Sequence, residues 1–332
     1  MFVAVEAGSE GLAIWDRFGS DQRLVVNFTL TCNLACAHCI VESSPHRKER
    51  LAVAAVRETL VMWRARGKDH VTLSGGEVFL YPTQLVEIVA FASQLGFVVD
   101  VESNGFWARS DEIARRRLEP MVRAGLSGLV LSSDAYHSAF FSVERVIRAA
   151  RVGRALGLCT EISFCRSDQR EVDQQIRDAL SAAGEAWVEN ELLDRGRGSD
   201  LADIVAGRDI DELQDCDSLT TTVHATGDVY ACCELETSSD EMKRTPVYLG
   251  SIEATAADPA GAQARERLVT EFHRPESPAY FRRLLTESPA FRPLRSQRFK
   301  SICDFCLTAL ADEERVEVVR RRLPKRAGEG DA

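Results

Sequence analysis

The stretch RLVVNFTLTCNLACAHC, residues 23–39, joins an apolar, β-branched run to three cysteines spaced x3 and x2. Residues 23–30 predict a strand, and Cys32, Cys36 and Cys39 fall in the loop that follows it. Outward from this point the same unit recurs. A helix over about 51–65 leads to HVTLSGG (70–76), a helix over about 83–95 to FVVDVESNG (97–105), and a helix ending near Ala124 to GLVLSSD (128–134). A helix over about 143–156 then leads to CTEISFC (159–165), and one over about 172–183 to AWVENELL (186–193). Strands alternating with helices across short loops must run parallel, because only a crossover returns the chain to the same end of the sheet. The expected fold is α/β: a partial (β/α)6 TIM-like barrel over 20–200, a small C-terminal domain over 201–323 and a disordered tail over 324–332.

Between Glu185 and Asp217 eleven Asp and Glu face three Arg and the periodicity fades, which reads as a connector. The 45% hydrophobic content can fill a sizeable core, and a net charge of −10 argues against a nucleic-acid partner. Without a basic n-region and apolar core at the N-terminus, or a long apolar run, no signal peptide and no membrane span are expected, and the location is read as cytoplasmic. In such a reducing compartment ten unevenly spaced cysteines read as metal ligands or reactive thiols rather than as a disulfide framework.

Three thiolates can hold a [4Fe–4S] cluster with one iron left open, since each cubane iron needs one ligand. A zinc site of three cysteines and one histidine, from His38 or His46, uses the same donors and stays open at this level. Later motifs fall at later strand ends, where a barrel directs them at the same face: Gly75-Gly76-Glu77, Ser103-Asn104-Gly105, Ser132-Ser133-Asp134 and Gly196-Arg197. Taken with the cysteine loop, which lies about 36 residues before the Gly-Gly-Glu step, they resemble the radical S-adenosylmethionine (SAM) superfamily. Where family signatures often carry an aromatic residue before the third cysteine, this chain has His38.

The resemblance implies that the open iron binds SAM and that Gly75, Gly76 and Glu77 hold its amino group. It also implies that Ser103, Asn104, Ser132 and Asp134 meet its ribose or methionine, and that Arg197 pairs with its carboxylate. A second group, Cys216, Cys232 with Cys233 beside it, and Cys303-x2-Cys306, resembles the auxiliary-cluster domain called twitch, a reduced form of SPASM. The step Gly227-x4-Cys232 selects Cys232, so the ligands of an auxiliary [4Fe–4S] cluster would be Cys216, Cys232, Cys303 and Cys306, with a zinc ribbon as the alternative.

The chemistry so implied is reductive cleavage of SAM to a 5′-deoxyadenosyl radical that abstracts hydrogen from an unactivated C–H bond of a natural product. Two outcomes follow: peptide maturation by epimerisation or crosslinking, or epimerisation or oxidation of an aminocyclitol or sugar. Only about twenty residues precede the first strand, too few for a fused leader-peptide-recognition domain, and no cobalamin-binding domain precedes the barrel. The candidate catalytic residues are Cys165 and Cys233 as hydrogen-atom donors and His137 as a substrate or proton ligand; each also reads as ordinary packing. A flavodoxin- or ferredoxin-type protein is the expected electron donor. The rival reading is a non-enzymatic binding module with two structural zinc sites, which predicts a colourless chain that unfolds on chelation.

Overall fold

A computed structural model describes residues 22–204, 207–213, 216, 220–232, 242–272 and 277–323. Its first strands are β1 (Arg23–Thr29), β2 (His70–Gly75), β3 (Val98–Ser103), β4 (Gly128–Ser132), β5 (Cys159–Cys165) and β6 (Val188–Asn190). Each pairs in parallel with the next. The crossovers are α1 (Val53–Ala65), α2 (Pro82–Gln94), α3 (Asp111–Ala124), the short α4 (Ala135–Ser138) followed by α5 (Glu144–Ala155), and α6 (Arg170–Ala182). The predicted strands and helices therefore form in order, within two or three residues at most boundaries. The sixth strand is shorter than its apolar run, with only Val188–Asn190 paired.

Along each strand the two faces separate by chemistry. Leu24, Val26 and Phe28 of β1 and Leu129 and Leu131 of β4 pack beneath the helices, as do Ile162 and Phe164 of β5. Their neighbours Asn27, Ser132, Glu161, Ser163 and Cys165 face a cavity of about 570 Å³. Burying the apolar set on the helical side is the main favourable term, while the polar set is kept where a ligand or water can satisfy it. The inner face is thus a binding wall rather than the apolar packing of a closed barrel.

The sheet does not close. Its order is β6-β5-β4-β3-β2-β1-β7-β8-β9, with β7 (Thr221–Val223) parallel to β1, and β8 (Asp228–Tyr230) and β9 (Tyr248–Ser251) antiparallel beyond it. The C-terminal part therefore continues the barrel sheet across the edge of β1. Behind it lie α7 (Ile252–Ala257), α8 (Pro259–Phe272), α9 (Ser277–Glu287), α10 (Ile302–Leu310) and α11 (Glu313–Arg321). Phe305 of α10 lies 5.0 Å from Phe281 and 5.2 Å from Phe299, and Phe272 lies 4.8 Å from Phe281. These edge contacts and the buried ring area fix α10, which carries Cys303 and Cys306. The connector is ordered where described: a 3-10 segment, Gly196–Ile204, returns the chain to the first cysteine loop. The tail over 324–332 lies outside the described residues. Among the described residues no helix is long and apolar enough to cross a membrane.

Candidate active site

The cysteine loop is held by its own backbone and by chain from both sides. Cys32 N–H donates to Ser44 O at 3.1 Å and Cys39 N–H to Cys36 O at 3.2 Å. Two sulfurs accept backbone hydrogen bonds, Cys32 Sγ from Leu34 N–H at 3.4 Å and Cys39 Sγ from Ser43 N–H at 3.3 Å. Leu34, Tyr136, Phe141, Leu192 and Leu201 pack around Cys32, Cys36, Cys39 and Cys165. Burial pushes the Cys32 thiol up to about 12, with Leu34 N–H opposing it and Glu77 and the two other cysteines adding to it. A cationic group bound there would reverse that balance and deprotonate the thiols.

Gly75 and Gly76 line the cavity beside this loop. A Cβ on Gly76 would sit 2.2 Å from Thr31 O, so only glycine lets β2 end this close to the residues leading into Cys32. Gly76→Ala is expected to destabilise the chain by on the order of 3 kcal/mol and to lower its Tm by several degrees. An unchanged Tm would show that the two segments part without cost.

Glu77 follows directly on these glycines. It is fully buried and is absent from the cavity wall. Its carboxylate accepts from Phe79 N–H at 3.0 Å and Asn104 N–H at 2.9 Å, and Ser103 Oγ lies 3.0 Å from both of its oxygens. In this structure Glu77 ties the end of β2 to the end of β3, and the glycines line the cavity. Burial raises its pKa to about 7 against the pull of Asn104, Phe79 and Ser103. A carboxyl whose folded pKa exceeds its unfolded one binds its proton more tightly when folded. The stability it lends is present at low pH and is lost as pH rises from about 4.5 through about 7. The Tm of the metal-free chain is expected to fall between pH 5 and 8, and Glu77→Gln to flatten that decline. Parallel profiles would contradict the assignment.

Ser103 and Asn104 line the cavity, but both are partly committed. Ser103 Oγ accepts from Trp107 Nε1 at 3.0 Å, and Asn104 Nδ2 donates to Asn33 Oδ1 at 3.0 Å while lying 3.8 Å from Cys32 Sγ. Arg197 also lines the cavity. Its Nε donates to Cys36 O at 2.9 Å and its Nη2 to Ser43 O at 2.8 Å, and its backbone N–H donates to Cys39 O at 3.1 Å. Two N–H groups of its guanidinium are therefore given to carbonyls of the cysteine loop. The preceding Gly196, at φ 54°, allows this approach, since a Cβ there would lie 2.5 Å from Cys39 O and Ile40 O.

Ser132 and Asp134 also reach the cavity. Asp134 caps α4, its Oδ1 accepting from His137 N–H at 2.9 Å, while Oδ2 lies 2.9 Å from His137 Nδ1 and 3.4 Å from His38 Nε2. Burial acts upward on its carboxyl, yet His137 and then His38 outweigh it and hold it well below the usual carboxylate range. His137 is driven the other way: burial lowers it, but Asp134 and then Cys36 raise it well above an ordinary histidine. This Asp-x-x-His arrangement was missed as a unit, although Asp134 before a helical turn is an N-cap signal.

Cys216 and Cys303 line the same cavity as the first loop, and Cys165 faces it from β5. Cys306 is buried, and its thiol is pushed up by that burial and then by Cys232 and Cys216 nearby. Cys233 lies outside the described residues. Among the described residues, the one trio of His, Cys, Asp or Glu with ligand atoms all within 4.8 Å of one another is His38, Asp134 and His137. Neither cysteine group draws three sulfurs that close. A tetrahedral zinc, with bonds of about 2.3 Å, needs sulfurs about 3.8 Å apart. His38 is engaged by Asp134.

Thiols on the loop after β1, at the carboxyl ends of parallel strands and over a cavity with polar walls, define a class of enzyme that uses an iron–sulfur cluster with an open iron. Residues 26–162 match the family described as the radical SAM superfamily. A putative peptide biosynthesis protein, YydG, of Bacillus subtilis is 22% identical over 304 residues, which cover 88% of this chain and 92% of that protein. GTP 3′,8-cyclase of Chlorobaculum tepidum is 30% identical over 149 residues, 44% of this chain and 43% of that one. The antilisterial bacteriocin subtilosin biosynthesis protein AlbA of Bacillus subtilis is 24% identical over 188 residues, 54% of this chain and 41% of that one. The chain thus spans nearly all of the first relative and less than half of the other two. The chain thus carries a radical SAM domain over residues 26–162, and the cofactors of that superfamily are SAM and a [4Fe–4S] cluster.

Proposed function

We propose that this enzyme takes a hydrogen atom from an unactivated C–H bond of a peptide, in a maturation step such as epimerisation or crosslinking. The observation that carries this reading is the single cavity that reaches Cys32, Cys36, Cys39 and Cys165 and also Cys216 and Cys303. Likeness along nearly the full length of a putative peptide biosynthesis protein supports the peptide as substrate class. The bound cluster and SAM would together supply the 5′-deoxyadenosyl radical.

The chain's own residues prepare the site for that chemistry. Arg197 and Asn104 hold the cysteine loop, and the apolar ring around it keeps water from the reacting centre. Asn27, Glu102, Ser132, Glu161 and Ser163 offer polar partners that orient a substrate along the inner wall. Cys216, Cys232, Cys303 and Cys306 are the proposed ligands of an auxiliary cluster, carried by the segment 201–323, and a flavodoxin- or ferredoxin-type protein is the proposed donor. Cys165 is the proposed hydrogen-atom donor: its S–H gives a hydrogen atom to the substrate radical, and the thiyl left behind takes one electron and one proton.

The test is a reaction of a candidate precursor peptide with SAM and reductant in D2O. Epimerisation through a thiol adds one deuterium, and crosslinking removes two hydrogens. Cys165→Ala is expected to keep SAM cleavage and to lose the deuterium. A peptide recovered with its mass and configuration unchanged would overturn the peptide reading.

A further inference from the structure

The trio His38, Asp134 and His137 has no part in the chemistry proposed above, yet all three side chains line the cavity. Asp134 is 2% exposed and begins α4; His38 belongs to the cysteine loop, one residue before Cys39. Both imidazoles converge on one oxygen of the carboxylate. Oδ2 lies 2.9 Å from His137 Nδ1 and 3.4 Å from His38 Nε2, while Oδ1 accepts from His137 N–H. These two histidines are the ion-pair partners of Asp134, so among the described residues no lysine or arginine pairs with a carboxylate taken almost wholly out of water. Burying such a group is costly unless positive charge is set beside it. The rings are also fixed: His38 stacks on Tyr136 with centroids 4.5 Å apart and meets the edge of His137 at 5.1 Å.

We infer that His38, Asp134 and His137 form a site for one divalent first-row transition-metal cation, separate from both cysteine groups and open to the cavity. The spacing of the donors carries the inference. Such a cation binds imidazole nitrogen and carboxylate oxygen at about 2.0–2.2 Å, which sets neighbouring donors about 3.0 Å apart in an octahedron and about 3.4 Å apart in a tetrahedron. The two contacts at Oδ2, 2.9 and 3.4 Å, fall at these values, and the three donor atoms all lie within 4.8 Å of one another. Two imidazoles and one carboxylate suit manganese, iron, cobalt or zinc, whereas magnesium and calcium prefer oxygen alone. Three protein ligands leave further positions on the ion, and these face the cavity that the trio lines. A cation held there neutralises Asp134, pins the cysteine loop to α4 and places a Lewis acid in the cavity wall. No sulfur takes part, so the site does not depend on what the cysteines hold.

The test is a titration with Mn(II) of the anaerobically reconstituted protein, first passed over a chelating resin, with free Mn(II) followed by its EPR signal. One Mn(II) per chain is expected to bind and to stay bound in a large excess of Mg(II). Electron spin-echo modulation of the bound ion should show coupling to imidazole nitrogen. Asp134→Asn, which keeps the shape and removes the charge, and His137→Phe, which keeps a ring and removes the donor, should each weaken binding at least about tenfold with iron per chain unchanged. No bound Mn(II), its release by Mg(II), or a bound ion without nitrogen coupling would overturn the inference. So would equal affinity in variants that load iron normally. Should the variants fail to load iron, the nitrogen coupling in the unsubstituted protein decides the matter alone.

Discussion

Cys36→Ala is expected to abolish SAM cleavage, lowering 5′-deoxyadenosine formation after dithionite reduction by at least about a thousandfold. Three thiolates are the minimum that holds a cubane with one iron open, and the loop from Cys32 to Cys39 supplies no more. The loss would not be replaced locally. Cys36 is buried and Arg197 grips its carbonyl, so no other thiol can move into its place without breaking that bond. Its measurement is mass spectrometry of the nucleoside product over single and multiple turnovers. Product within tenfold of the unsubstituted enzyme would remove Cys36 from the ligand set.

Cys303→Ala separates the two cysteine groups. It should bring iron down from about eight to about four per chain, leave uncoupled SAM cleavage within a few-fold, and eliminate substrate turnover. The reason lies in α10. Ser301 caps this helix, accepting from Asp304 N–H at 3.1 Å and donating to Asp194 Oδ1 at 2.9 Å, so the helix is anchored to the segment that leads to Arg197. Cys303 lines the cavity, whereas Cys306 lies buried behind it among the phenylalanines. Removing the cavity-side ligand therefore disturbs the second site while the aromatic packing of α10 stays. Normal product from the variant would show that the second group is structural.

The parallel half of the fold was legible because its strands are long and their faces differ. Leu24, Val26 and Phe28 against Arg23, Val25 and Asn27 give a period of two that survives in the linear chain. The C-terminal strands were not legible: β7, β8 and β9 have three or four residues each, and the pairing of β7 with β1 depends on contacts distant in sequence. The site divides in the same way. Spacing brought out Cys32, Cys36 and Cys39 and the Gly-Gly step, since loop length and close approach leave local marks. The direction of a side chain leaves none. Glu77 turned inward to Ser103 and Asn104, and Arg197 turned to the carbonyls of Cys36 and Ser43, because each found partners 26 residues or more away in sequence. The connector shows the same limit, as its acidic composition said nothing of the Gly196-Arg197 contact that docks it.

The most direct measurement is made on anaerobically purified chain reconstituted with iron and sulfide: iron per chain, and the fate of SAM after dithionite reduction. About eight irons, four per cluster, with 5′-deoxyadenosine formed, is the predicted result. Two zincs per chain with SAM left intact would contradict the assignment of both cysteine groups and return the chain to a metal-stabilised binding module.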